Sequence, residues 1–595
     1  MRHQNELQLF WWRILAKIEM WITRFLPKEE GMSRKSVLYT VFAILVMASL
    51  ILSGCGSAAP TPSVSGITPQ ISPTPVPQKK VATFIWNEEF DSLSPLYTNM
   101  WFSTVTQQLW DCWPWNFDEN NNPLPYLVTE IPSIENGDIS TDGATITLHL
   151  RDGLKWSDNQ PLTSEDFRFT WAMSVDPKNT VASSYPYSKI TSVDTPDPKT
   201  VVIHFDGPFA PWLTTFRGII PAHILQPVYD ADGTLDNAEW NTKPTVGCGP
   251  YVFTEWQSGS FARFTANQNY WGTKPKIDEI FIRFVPDNAS QIAALTAGDG
   301  DLSTFFPYNE IPKLKNAGLT IMTEPTGLNE GMFFLIDTNN KLGNPGLRDV
   351  NVRKAIAMAI DREGIVRDLL LGMTEVPASY WSALPPFWNN PPLQNYPYDP
   401  TAAKALLDQA GWIDSNGDGV RDKNGVDLDL TYGTTNENET RANVQAVVQQ
   451  QLAAIGIKVE LQTYSSDTYF AQDGPAATGK VDIMEWSDGP LVPDPDVYYW
   501  YCSEIPTADY PSGSNWQYLC DPQLDSLSAL QITQVDPTER QKTISQMNQI
   551  FYDKVYWLGL WVDPDVWAVG KRLTGVKFSG ASPFFNITEW DLVDK

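Results

Sequence analysis

The alternation of apolar and polar residues is clearest in residues 145–171, TITLHLRDGLKWSDNQPLTSEDFRFTW. Apolar side chains alternate with polar ones at its start, as they do in a half-buried strand, at Ile146, Leu148 and Leu150. A turn at 151–153 leads towards a helix with Thr163 as N-cap and the carboxylate of Asp166 three residues later. The pattern predicts a strand, a tight turn and a capped helix, in that order.

Helical and extended patterns also alternate in the C-terminal half. An Asp-Pro pair at 399–400 begins one predicted helix, and Gly411 ends it. Residues 440–455 have the apolar spacing of a second helix, and residues 457–461 have the composition of a strand. This succession of helices and strands predicts an α/β fold.

Three segments precede the predicted globular part. Residues 1–31 have the apolar spacing of an interfacial membrane helix, unless translation begins at Met32 and this extension is not part of the protein. Residues 32–55 combine basic residues, an apolar run and small residues before Cys55, which is the pattern of a lipoprotein signal peptide with its lipobox. Cys55 would then carry the lipid, and an uncleaved anchor is the alternative. Residues 56–80, rich in Pro, Ser and Thr, predict an extended linker.

Length and charge limit what the chain can be. A chain of 595 residues exceeds one compact core, so we expect two or three lobes. The formal net charge of -28 argues against a surface for nucleic acid or anionic membrane, because either needs clustered Lys and Arg. The 24 Trp residues fit either a core or a cleft lined with aromatic side chains.

Cysteine usage agrees with an oxidising compartment outside the cytoplasm. Besides Cys55, the chain has four cysteines in three possible pairings, namely Cys112, Cys248, Cys502 and Cys520. We expect Cys502 to pair with Cys520, because both flank a Pro/Ser/Gly loop whose closure contributes ~3 kcal/mol. No C-x-x-C spacing occurs and the four His are scattered, so no metal site is predicted from these residues.

One segment has part of the pattern of a calcium loop. Oxygen-bearing side chains recur at the spacing of the first ligands of such a loop, at Asp414, Asn416 and Asp418. Its twelfth position is Gly425 where calcium loops have Glu, so the bidentate ligand is missing. The segment predicts either a weak calcium site or a plain hairpin turn, and no other cofactor is expected.

The strand-turn-helix stretch resembles the signature of the family 5 extracellular solute-binding proteins, which include the dipeptide- and oligopeptide-binding proteins of ABC importers. That signature reads approximately "LR.G.KWSDG.P.T..D", and Asn159 stands here where Gly is usual. It is matched by Leu150, Arg151, Gly153, Lys155, Trp156, Ser157, Asp158, Pro161, Thr163 and Asp166. Further matches are GCGPY at 247–251, NYW at 269–271 and VRKAI at 352–356.

The resemblance implies an α/β, periplasmic-binding-protein-like fold of type II, similar to dipeptide-binding proteins, with two lobes, a hinge and an extra subdomain. The resemblance implies that the chain divides into lobe I, an extra subdomain and lobe II. Lobe I comprises residues 81–125, 190–325 and 560–595, the extra subdomain residues 126–189, and lobe II residues 326–559. We expect the hinge at strands near residues 325 and 558. The lobes would close on the ligand to the extent that the ligand prefers the closed form.

The resemblance also places ligand contacts in the segment MEWSDGPLVPDPD at 484–496. In peptide-binding relatives a carboxylate of this segment pairs with the α-amino group of the ligand, and Asp488 next to Trp486 is the candidate here. Asp488 follows Trp486 by two residues where relatives have three, so a solvated turn is the alternative. Two more candidates for ligand contact, with core packing as the alternative, are Trp101 and Phe102. Tyr498 is a candidate for stacking on a peptide side chain or on a sugar ring.

No enzymatic chemistry is predicted, because the chain lacks G-x-S-x-G, H-E-x-x-H and any Cys/His constellation at known spacing. The resemblance implies a monomeric, extracytoplasmic lipoprotein anchored to the cell membrane that binds substrate for an ABC importer. It would capture short peptides in a closing cleft and deliver them to the permease and its ATPase subunits. An oligosaccharide ligand is the alternative within the family, and a surface-anchored hydrolase is the alternative from another class.

Overall fold

The computed structural model of the protein describes residues 79–593, apart from Asn340, Glu437, Leu491, Pro493 and Ser512. The predicted N-terminal extension, the signal peptide with Cys55 and nearly all of the linker lie outside the described residues. Within the part of the chain that is described, no helix is both long enough and apolar enough to cross a membrane.

The described residues form nineteen β-strands. They are β1 (Val81–Trp86), β2 (Trp115–Phe117), β3 (Pro123–Pro125), β4 (Thr145–His149), β5 (Ile190–Asp197), β6 (Thr200–Phe205), β7 (Tyr251–Gln257), β8 (Phe261–Ala266), β9 (Glu279–Phe284), β10 (Leu302–Ser303), β11 (Thr320–Phe334), β12 (Asp422–Lys423), β13 (Val426–Asp427), β14 (Asp429–Thr435), β15 (Lys458–Tyr464), β16 (Ile483–Asp488), β17 (Trp557–Val569), β18 (Leu573–Thr574) and β19 (Asp591–Leu592).

The described residues also form twelve α-helices. They are α1 (Trp101–Trp110), α2 (Ser164–Val175), α3 (Ala222–Asp232), α4 (Asn288–Ala297), α5 (Ile311–Ala317), α6 (Val350–Ala359), α7 (Arg362–Asp368), α8 (Pro400–Gln409), α9 (Glu439–Ala453), α10 (Ser466–Tyr469), α11 (Pro522–Gln531) and α12 (Pro537–Lys554). Helices α8 and α9 and strand β15 are the elements that the C-terminal pattern predicts, within a few residues.

A mixed sheet of ten strands organises the described residues, in the order β15-β14-β16-β11-β17-β10-β1-β9-β8-β7. On one side β14 runs parallel to both of its neighbours, and on the other side β1 does. Helices follow the parallel strands and cover the sheet, as parallel pairing requires. The α/β class that the sequence predicts is therefore confirmed.

Two long strands, β11 and β17, belong to both halves of this sheet. They pair with each other in antiparallel register, while β11 also pairs with β16 and β17 also pairs with β10. Their ladder is interrupted between Pro325 and Asn329 on β11, opposite the stretch from Val562 to Pro564 on β17. Proline cannot donate to a ladder, so these strands are least regular where they cross from one half to the other. The expected hinge near residue 325 falls at this interruption.

Each half of the sheet has its own hydrophobic core. The core of lobe I contains Phe84, Leu109, Ile280, Trp567 and Trp590, and that of lobe II contains Phe333, Ile356, Leu430 and Ile483. Apolar side chains of the extra subdomain are continuous with the lobe II core. Separate cores are expected of a chain that is too long to form one compact core.

The extra subdomain is built on the stretch with the clearest sequence pattern. Strand β4 buries Ile146 and Leu148 and pairs with β6, which in turn pairs with β5. Helix α2 begins after Thr163, whose backbone N–H donates to the Asp166 carboxylate at 2.9 Å. The boundary that we expected at 189/190 falls inside one three-stranded sheet, because it separates β5 and β6 from β4. Alternation identifies a strand but does not name its partner.

Candidate functional site

The carboxyl ends of the parallel strands in lobe II form the edge where ligands bind in open α/β sheets. Strand β16 ends there at Asp488, and β14 ends there at Thr435. Strand β11 brings Asn329 opposite Asp488, at the interruption between the two lobes. The candidate anchor therefore lies at the sheet edge next to the interlobe crossing.

Asp488 occupies a recess lined by aromatic side chains. Its carboxylate accepts a hydrogen bond from the Tyr499 hydroxyl at 3.1 Å and one from the Gly489 backbone N–H at 2.8 Å. The side chains of Trp486 and Tyr380 also hydrogen-bond to it, and the hydroxyls of Tyr380 and Tyr499 contact each other. The residue remains partly exposed, so the recess is open to a ligand.

The electrostatics of Asp488 are unusual for an aspartate. Burial raises its pKa to about 6, although the surrounding hydrogen bonds act in the opposite direction. Among the described residues, no lysine or arginine forms an ion pair with it. An enclosed carboxylate without a protein cation is a suitable partner for the ammonium group of a ligand.

Trp486 forms a wall beside this carboxylate. Its ring stacks on Phe333 with centroids 4.1 Å apart and an interplanar angle of 9°. Phe470 and Trp516 pack edge-on against it at 5.9 and 6.0 Å. The structure thus brings together two of the residues that we expected at the site, Asp488 and Trp486, and adds two aromatic residues that we did not.

The other predicted aromatic contacts have different outcomes. Trp101 is partly exposed, lies 4.8 Å from Phe305 and hydrogen-bonds to Asp565. Phe102 is 3% exposed and packs on Trp86, so it supports lobe I from within the core where we expected it to contact ligand. Tyr498 begins a short 3-10 turn, and its side chain lies outside the described residues.

Carboxylates on the crossing strands are the part of the site that the sequence did not indicate. Glu324 and Glu330 lie on β11, while Asp563 and Asp565 lie on β17. Glu330 is paired in bidentate fashion with Arg441, with both distances 2.9 Å. Burial, followed by the charges of Asp563 and Glu324, holds the pKa of Asp565 well above its ordinary value. The crossing between the lobes is therefore acidic, and no spacing rule connects residues so far apart in the chain.

A cavity of about 650 Å³ lies between the extra subdomain and lobe II. Residues 174–185 of the extra subdomain line one side, and Glu504, Tyr510 and Ser514 of lobe II line the other. The Tyr185 hydroxyl donates to Asp496 across the gap at 2.5 Å. The volume falls within the range of small-ligand sites.

Two disulfides are present among the described residues. Cys502 pairs with Cys520, as we expected, and Cys112 pairs with Cys248. The second bond connects the end of α1 to the GCGPY turn. Asp111, Cys112 and Cys248 could hold a metal only if the two thiols were free, and here they are bonded to each other.

The segment with the calcium-loop spacing forms a turn before the hairpin of β12 and β13. Asp414 accepts backbone hydrogen bonds from Gly417 at 2.7 Å and Gly419 at 3.0 Å. Asp418 accepts one from Val420 at 2.8 Å, and the Asn416 side-chain amide donates to Asp418. These side chains close the turn themselves, and the weak calcium site stays a prediction.

Comparisons with known proteins agree with this geometry. A family model described as "Bacterial extracellular solute-binding proteins, family 5 Middle" matches residues 122–506. The oligopeptide-binding protein AppA of Bacillus subtilis is 28% identical over 579 residues, covering 94% of this chain and 99% of that protein. The dipeptide-binding protein of Escherichia coli is 27% identical over 452 residues, covering 71% and 79%.

Solved structures give the same result. The structure of Bacillus subtilis AppA in complex with a nonapeptide superposes with a TM-score of 0.71 at 25% identity, covering 87% of this chain and 100% of that one. NikZ of Campylobacter jejuni in complex with Ni(L-His) superposes with a TM-score of 0.74 at 24% identity, covering 86% and 100%, and shares the fold. Because the family model spans more than half of the chain, this protein belongs to family 5 of the bacterial extracellular solute-binding proteins.

Proposed function

We propose that this protein is the substrate-binding component of an ABC importer and that it captures short peptides between its lobes. The observation that carries the proposal is Asp488, an enclosed carboxylate at the ligand-binding edge of the sheet with no ion pair to a described lysine or arginine. The α-amino group of a peptide would supply the missing cation. The names of the relatives, an oligopeptide- and a dipeptide-binding protein, support the same ligand class.

Closure would strengthen this contact. Water leaves the recess when the lobes approach each other, and a charge-assisted hydrogen bond is stronger in a dry site. The interruption at Pro325 and Asn329 provides the local freedom for such a movement. A ligand that contacts both lobes prefers the closed form and shifts the equilibrium towards it.

Delivery and anchoring belong to the same proposal. The closed form would dock on a permease that ATPase subunits drive, and the lipid on Cys55 would hold the monomeric protein outside the cell membrane. The linker of residues 56–80 would let the globular part diffuse over the membrane surface. No covalent change of the ligand is part of this proposal.

The test is calorimetric titration with Ala-Ala-Ala and with its N-acetylated form. We expect saturable binding of the free peptide and a loss of roughly tenfold to a hundredfold on acetylation or in Asp488→Asn, the range for one charged hydrogen bond. Asp206→Asn is the matched control, since its side chain is 55% exposed and far along the chain from the recess. Binding of cello-oligosaccharides without peptide binding, or hydrolysis of the peptide detected by mass spectrometry, would contradict the proposal.

A further inference from the structure

The loop closed by Cys502 and Cys520 carries an aromatic residue to the anchor region from a distant part of the chain. Trp516 of this loop lies 6.1 Å from Phe470, with the rings stacked, and 6.0 Å from Trp486. Phe470 immediately follows α10, the short helix that begins after the carboxyl end of β15. Three aromatic side chains from three separate segments therefore meet at the edge of the sheet where ligands bind.

The loop holds Trp516 in a defined position. Its indole N–H donates to the Gly513 carbonyl at 3.0 Å. The neighbouring Asn515 is fully buried, and its side-chain amide donates to the carbonyls of Leu519 at 2.8 Å and Tyr501 at 3.0 Å. With the disulfide at its base, the loop is braced from within, so the aromatic group does not depend on ligand to be formed.

The aromatic group is open on one side. Phe470 is 37% exposed, and Trp486 and Trp516 are each partly exposed. Burial of a large aromatic side chain is favourable, and a side chain that stays this exposed does not gain that free energy until something covers it. Phe333, which stacks on Trp486, is completely buried, so on that side the group rests on the lobe II core.

The group also adjoins the anchor. Trp486 and Asp488 lie on the same face of β16, two residues apart, and their side chains are hydrogen-bonded. In a peptide the first side chain branches from the carbon atom that carries the α-amino group. A peptide whose amino group is bound at Asp488 thus has its first side chain within reach of Trp486.

We propose that Phe470, Trp486 and Trp516 form a subsite that selects peptides with an aromatic or large apolar first residue. This rests on the proposed function, because it takes Asp488 as the point at which the peptide amino group binds. The disulfide-closed loop is the specificity element, since it supplies the outer wall of the subsite. A small first side chain leaves the aromatic faces in water and gains nothing from them.

The experiment compares Phe-Ala-Ala with Ala-Ala-Ala by calorimetry on the full protein. We expect the wild type to bind Phe-Ala-Ala roughly tenfold more tightly, from burial of one aromatic side chain against aromatic faces. Trp516→Ala and Phe470→Ala should each remove most of this preference and change the affinity for Ala-Ala-Ala less than about twofold. Tyr398→Ala, which truncates a side chain that is 50% exposed, is the control and should keep the preference.

The outcomes separate the two proposals. If the wild type binds both peptides equally, or if the variants weaken both equally, the subsite is wrong while peptide binding stands. If neither peptide binds, the proposed function fails and the subsite fails with it. Phe470→Ala removes an exposed side chain outside the disulfide-closed loop, so it tests the selectivity even if Trp516→Ala disturbs that loop.

Discussion

Arg540 binds both carboxylate oxygens of Asp494, each at 2.6 Å, in a part of lobe II where both side chains are at most 6% exposed. The same guanidinium donates to Gln531 at 2.8 and 2.9 Å, and the Gln531 amide donates to Asp496 at 2.7 Å. This network attaches the segment that follows Asp488 to helices α11 and α12, which carry Gln531 and Arg540. The position of the candidate anchor thus depends on residues that are about fifty positions later in the chain.

Arg540→Ala should therefore destabilise the protein strongly. Removing one partner leaves the Asp494 carboxylate buried and uncompensated, which costs about 4 kcal/mol of the free energy of unfolding. Urea denaturation followed by tryptophan fluorescence measures this cost. Arg168→Ala is the matched control, because Arg168 forms an exposed pair with Glu165 on α2 and should change the stability by less than about 0.5 kcal/mol. Equal effects of the two substitutions would contradict the assignment.

Ligand affinity should depend on pH through Asp488. Its pKa is raised to about 6 in the free protein, and an ammonium group binds only the ionised carboxylate. Below pH 6 binding must first release a proton, so the affinity for Ala-Ala-Ala should fall by about tenfold for each further pH unit. The affinity should be highest near pH 7 and fall again towards pH 8, because the α-amino group of the peptide loses its proton with a pKa of about 8. Calorimetry between pH 4.5 and 8, a range chosen to span about 1.5 to 2 units on either side of that pKa, measures the profile. A flat profile would show that another group carries the contact.

The same raised pKa affects stability with a defined sign. The folded protein holds the Asp488 proton more tightly than the unfolded chain, whose ordinary value is 3.8, so stability is lost as pH rises from about 4 through about 6. Asp488→Asn removes the cost of burying the charge. We expect this variant to unfold at pH 7 with a free energy about 2 kcal/mol higher, although it binds peptide poorly. Thermal denaturation without ligand provides the comparison.

The GCGPY turn should not tolerate a side chain at its first position. A Cβ atom added at Gly247 would lie 2.2 Å from the Trp110 carbonyl oxygen, which is backbone and cannot rotate away. Gly247→Ala should therefore cost about 3 kcal/mol or displace the end of α1. Gly207→Ala is the control, because a Cβ atom there meets nothing within 4 Å. Differential scanning calorimetry compares the two, and similar melting temperatures would disprove the close approach.

Much of the fold was predictable from local pattern and from motifs. The strand at β4, the capping of α2 by Thr163 and Asp166, and the order of helices and strands in the C-terminal half follow from the spacing of apolar residues and from N-cap chemistry. These features depend on neighbours within a few positions, so the chain contains them locally. The motifs then identified the family, which the comparisons confirm.

The candidate site was predictable only in part. Asp488 and Trp486 lie in one segment that resembles the family, so they could be named together. Phe470 and Trp516 could not, because they enter the site from loops that only the folded sheet and the disulfide bring together. Phe102 lies in the core and not at the ligand site where we expected it, because helical spacing does not say which aromatic residue at a helix start faces the core.

The sequence by itself determined the α/β class, the two-lobed family and the segment in which an anchor carboxylate lies, because alternation, capping and motif spacing act over short distances. Tertiary structure alone decided the acidic crossing of β11 and β17 and the raised pKa of Asp488. Burial and charge pairing depend on which distant segments surround a side chain, and the linear order of residues does not contain that information.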